Sequence, residues 1–145
     1  MTNKGFGVGL FQPKNPINVG GVLRACACYG ANMLATTGQR YHKNGADTGR
    51  AHRELPLLQV EDLYSVIPYS WVPVAVDLVD DAESLVDFQH PRNAFYVFGP
   101  EDGTLGRAVL DWCPLKIMVP TRDCMNLASC VNVVLYDRLA KQLRG

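Results

Sequence analysis

Residues 119–136 read VPTRDCMNLASCVNVVLY. Val119 and Pro120 close an apolar strand, Thr121 to Cys124 form a short polar loop, and an amphipathic helix starts at Met125. A strand passing through a polar corner into a helix is the building unit of an α/β sheet. Such corners are also where α/β proteins place ligands. Two other stretches have the same character. NVGGVLR at 18–24 opens a helix, and FGPEDGTLG at 98–106 follows a hydrophobic strand.

Working outward, strands and helices alternate along the chain. FGVGLF at 6–11 reads as a buried first strand. Asn15-Pro16-Ile17 is turn-like, because a residue before proline avoids helix. Asn18 is the expected N-cap of a helix that ends near Gly30. Strands are expected at 31–37, 55–60, 71–79, 94–98 and 115–119. Helices are expected at 61–67, 81–88, 104–112 and 125–143. Residues 38–53 read as a long polar loop or frayed helix. The strands are apolar on both faces, which calls for a mainly parallel sheet with helices on both faces. At 145 residues the chain makes one domain with a real core, and no repeat or linker divides it.

Composition removes several classes of function. An apolar fraction of 48% and a charged fraction of 19% are those of a globular protein. No apolar run reaches the length of a membrane span, and the N-terminus lacks the pattern of a signal peptide. Five cysteines, with no CxxC pair, argue against both a disulfide framework and a structural zinc. A reduced, cytoplasmic protein without a metal is expected. Formal net charge is zero, so any nucleic-acid site must be local or shared between subunits. A single basic cluster stands out. Arg40, Lys43, Arg50 and Arg53 occur with His42, His52 and Tyr41 against one carboxylate, Asp47. Such a loop can grip phosphates without reading sequence.

Together, the three corners resemble the SpoU (TrmH-like) branch of the SPOUT RNA methyltransferases, nearest its small tRNA-modifying members. The wording FGPE and MNLAS carries the resemblance, with the asparagine and arginine of NVGGVLR. It implies a C-terminal deep trefoil knot within about residues 94–145 and S-adenosylmethionine as cofactor. It implies methyl transfer to a ribose 2′-OH of RNA, with tRNA favoured over rRNA and the wobble nucleotide as a target. A homodimer is implied, and no DNA partner. Arg24, supported by Asn18 and Glu101, matches the methyl-transfer centre. Val76, Gly99, Val119, Cys124 and Asn126 match the positions that hold the cofactor, and Arg122 joins the basic loop as an RNA contact.

The family's usual role for this arginine is general base, which a guanidinium resists. The other role is a cation that favours the developing alkoxide. Gly21 stands where relatives often carry asparagine, Thr104 where they carry glycine, and Cys124 and Ala128 where they carry serines. These departures leave a second reading, a catalytically silent module binding S-adenosylmethionine or RNA. A Rossmann enzyme would need a glycine-rich turn after the first strand. QPKNP stands there instead.

Overall fold

The computed structural model describes residues 5–38, 55–100 and 104–145. Seven strands form one sheet: β1 (Phe6–Leu10), β2 (Met33–Thr36), β3 (Leu57–Gln59), β4 (Val72–Val76), β5 (Glu83–Ser84), β6 (Ala94–Phe98) and β7 (Leu115–Met118). Their order across the sheet is β3-β2-β1-β6-β4-β7-β5, and every pairing is parallel. Among the described residues three helices accompany them, α1 (Pro16–Tyr29), α2 (Arg107–Leu110) and α3 (Leu127–Arg144).

The two-residue period of a strand sorts side chains between two cores. Phe6, Val8, Leu10, Val74, Tyr96, Phe98 and Ile117 meet α1 and α3 on one face. Ala35, Ala75, Phe95 and Val97 meet Leu63 and Val109 on the other. The glycines of FGVGLF face that second layer. A Cβ on Gly9 would lie 2.6 Å from the Phe95 ring, so the small residue is what lets the ring cover β1.

Three expectations need correction. The N-cap of α1 is Asn15, whose side chain accepts from the Ile17 N–H at 2.9 Å, and Pro16 follows at the first helical position. Proline there has no N–H to leave unsatisfied, and that moves the helix start three residues ahead of Asn18. Residues 81–88 are not a helix. Glu83 and Ser84 pair with Ile117 and Met118, and a 3-10 turn (Leu85–Asp87) follows. The open edge of β7 takes those backbone groups in preference to a helix. Elements expected at 61–67 and 104–112 shrink to a 3-10 turn (Leu63–Val66) and to α2.

A buried polar chain fastens α3 to the amino-terminal end of β6. Arg138 is 2% exposed. It donates to the carbonyls of Pro91 and Arg92 and to Tyr96 Oη, and its guanidinium lies 4.8 Å from the centre of the Phe6 ring. Tyr96 Oη and the Asp137 carboxylate flank the His90 ring at 2.7 and 2.8 Å. A carboxylate only accepts, so His90 Nε2–H donates to Asp137 and Nδ1 accepts from the tyrosine hydroxyl. A neutral imidazole satisfies both ring nitrogens of His90. Burial lowers the His90 pKa below its ordinary value against the opposing pull of Asp137.

Candidate functional site

Three strands, β4, β6 and β7, release their chains at the same end of the sheet. Between those exits and the start of α3 lies a cavity of about 420 Å³. The predicted residues Val76, Gly99, Val119 and Cys124 all line it, and so does Arg122. Val76, Phe98 and Leu127, all buried, give it apolar walls. Cys130 reaches it from the first turns of α3, and burial pushes its thiol up to about 11. Cys124 is exposed. The sequence reading missed Asp77, Asp123 and Cys130 as lining residues. Asp77 had one signal, its place directly after an apolar strand.

Gly99 has a structural reason for its identity. A Cβ there would stand 3.2 Å from both the Thr104 carbonyl carbon and the Leu105 nitrogen. The glycine thus admits the returning limb of its own loop. The short loop after β7 is fixed partly by Thr121, whose hydroxyl donates to the Asp123 carbonyl at 2.8 Å.

Asn126 joins two of the three motifs. It is the N-cap of α3, its Oδ1 accepting from the Ser129 N–H at 3.1 Å. An amide N–H can only donate, so this bond fixes the flip of the side chain. Its Nδ2 is then aimed at Asn18 Oδ1, 3.0 Å away and 108 positions distant in sequence. Asn126 does not line the cavity itself. It sets the first turn of α3 against the first turn of α1.

Arg24 stands apart from the cavity. Despite Gly20 and Gly21, α1 is helical without interruption from Pro16 to Tyr29. At about 100° per residue, Asn18 and Arg24 lie about 240° apart around the axis. Asn18 therefore reaches α3, whereas Arg24 is exposed and does not line the cavity. Gly21 faces α3 as well, where an added Cβ would come within 3.0 Å of Ala128 Cβ. Two departures from the family wording thus meet at one helix crossing. Glu101 and the basic cluster of Arg40, Lys43, Arg50 and Arg53 lie outside the described residues.

The geometry has counterparts among known proteins. The sequence profile of the SpoU rRNA Methylase family matches residues 5–136. A tRNA (cytidine(34)-2'-O)-methyltransferase from Yersinia pestis is 31% identical over 147 residues, covering 88% of each chain. Among solved structures, the SpoU methyltransferase AviRb from Streptomyces viridochromogenes superposes with a TM-score of 0.87 at 21% identity. That match covers 99% of this chain and 62% of AviRb, and AviRb has also been solved with AdoMet. A structure giving insights into the 2-OH methylation of C/U34 on tRNA superposes with a TM-score of 0.79 at 22% identity, covering 100% of this chain and 94% of that one.

Proposed function

This chain belongs to the SpoU rRNA Methylase family, and on that premise we propose that it methylates the ribose 2′-OH of the wobble nucleotide of tRNA. It is an S-adenosylmethionine-dependent RNA methyltransferase of the tRNA-modifying kind. The observation that carries the reading is the cavity at the strand ends, with the Asn126–Asn18 hydrogen bond drawing α1 beside it.

The residues present fit the cofactor. About 420 Å³ lies in the range of small-molecule pockets, and apolar walls with a few polar groups are their usual lining. Val76, Val119 and Leu127 would flank the adenosine, and the backbone of Gly99 and of the Cys124 loop would meet its polar edges. When bound, S-adenosylmethionine supplies a methyl group activated by a sulfonium. The protein's share is position and charge. Holding the hydroxyl in line removes much of the barrier, and a fixed cation lowers the cost of the negative charge that grows on its oxygen as the proton is lost to water. Arg24 serves as that cation: an exposed guanidinium keeps its charge. It also holds the phosphate beside the target ribose. Arg122 at the cavity, with Arg40, Lys43, Arg50 and Arg53, supplies further phosphate contacts. Asn18 fixes the approach of α1, and Glu101 orients Arg24.

Two features of architecture belong to the same reading. β7 lies between β4 and β5, and Val76 and Glu83 both stand opposite Ile117. The connection over 77–82 must therefore cross β7 at the end where the chain leaves for α3. We propose that the carboxy-terminal chain, within about residues 94–145, threads past this crossing to form the deep trefoil knot. The second feature is an apolar groove of about 550 Å³ lined by Tyr29, Val86, Val119, Pro120, Val133 and Tyr136. Val86 and Tyr136 are 67% and 59% exposed. A second copy of the chain covers it and completes the site around Arg24. No helix among the described residues is long and apolar enough to cross a membrane, and the cytoplasm, where tRNA is modified, is the proposed compartment.

The test pairs a calorimetric titration of S-adenosylmethionine with transfer of tritiated methyl to bulk tRNA. Binding and transfer are expected together. Binding without transfer to any RNA would leave a silent binding module and refute the reading.

A further inference from the structure

Asp77 touches three of the segments that enclose the cavity. Its N–H continues the β4–β7 pairing, donating to the Ile117 carbonyl at 3.0 Å. Its Oδ1 accepts from the Leu78 N–H at 2.9 Å, and its Oδ2 accepts from the Leu105 N–H at 3.0 Å. The residue itself lines the cavity. Leu105 is 28 positions away, 2% exposed and seated in the second core. Thr104 and Leu105 form the limb that packs on Gly99. A buried amide that loses its acceptor is costly, so the carboxylate fixes where this limb returns.

We propose that Asp77 is a positioning residue for the cofactor. It straps the returning limb at 104–105 to the exit of β4 and so holds the cavity open in its binding shape. A site held in advance does not spend binding energy on ordering its walls. The residue acts through the loop, so its effect belongs to cofactor affinity and not to the methyl-transfer step. This inference rests on the reading of the cavity as the S-adenosylmethionine site.

The experiment measures four quantities for wild type, Asp77→Ala and Asp77→Asn. These are the Kd for S-adenosylmethionine by calorimetry, KM against kcat, RNA affinity by fluorescence anisotropy, and hydrogen exchange at the Leu105 amide. For Asp77→Ala the cofactor Kd and KM are expected to rise about tenfold, the size of one hydrogen bond to a charged acceptor. kcat at saturating cofactor and RNA affinity stay within about twofold of wild type, and Leu105 exchanges faster. Asp77→Asn keeps one acceptor for two amides and falls between, which keeps the test open if the alanine variant does not fold. Asp62→Ala is the control. Its carboxylate accepts from the Tyr64 N–H at 3.2 Å in an exposed turn, and its loss leaves cofactor affinity unchanged. Unaltered cofactor affinity in both Asp77 variants overturns the assignment, as does a parallel loss of kcat, RNA affinity and melting temperature. A wild-type protein that binds no S-adenosylmethionine overturns instead the reading of the cavity.

Discussion

Asn126 carries two hydrogen bonds with separable consequences. The cap to Ser129 stabilises α3, and the bond to Asn18 aligns α1 with the start of α3 beside the cavity. Asn126→Ala loses both, and thermal unfolding should show a loss of about 1 kcal/mol, the usual worth of an N-cap. Asn126→Asp keeps the capping oxygen but has no Nδ2 to donate. It should melt near wild type and still transfer methyl more slowly in a steady-state assay. Arg24 offers a second separation. If it acts as a cation, Arg24→Lys retains part of the rate and its pH–rate profile keeps the wild-type shape, while Arg24→Ala loses at least about a hundredfold, as expected for a lost transition-state contact. A rate-limiting ionisation that moves into the lysine range would show a general base instead. Asn126 was legible in the sequence from the words MNLAS. Its bond to Asn18 was not, because no local pattern reports a contact across 108 positions.

At the scale of elements, the α1–α3 crossing decides how near Asn18 comes to Asn126. Gly21 and Ala128 meet there with no spare room, since an added Cβ would lie at 3.0 Å. Gly21→Val should push the helices apart and cost about 1–3 kcal/mol in denaturant unfolding, the range of overpacked contacts. The strands were readable because double-sided burial leaves apolar runs such as AFYVF in β6, where all five residues are buried. The helix start was misplaced by three residues because Asn15 and Asn18 are equally good caps, and only Pro16 distinguishes them. Residues 81–88 misled for another reason. Asp81 and Glu83 give the stretch the acidic start of a helix, but pairing of Glu83 and Ser84 with β7 takes that backbone instead. Asp77 could be placed on a strand but not connected to Leu105, which depends on how the loop after β6 folds back.

At the scale of the molecule, the chain from Arg138 through Tyr96 and His90 to Asp137 ties the last helix to the sheet. Burial keeps His90 neutral by lowering its pKa. The unfolded chain then binds a proton more readily, so stability is full above about pH 6.5, the ordinary histidine value, and falls as pH drops through the lowered one. Melting temperatures between pH 7.5 and pH 5 should decline, and less steeply in His90→Gln. The proposed dimer makes a separate claim. Tyr136→Asp places a charge in the apolar groove and should shift sedimentation from dimer to monomer. Composition argued against a membrane span and a disulfide framework, but it could not show that the corners after β6 and β7 line one cavity with α1 held beside it through Asn18. That convergence is the central claim. The most direct measurement incubates the protein with S-adenosylmethionine and unmodified tRNA, then maps 2′-O-methylation by mass spectrometry of nuclease fragments. The account predicts one methylated ribose, at nucleotide 34, lost in Arg24→Ala. A methyl group on a base, or no methylated tRNA fragment despite bound cofactor, would contradict it.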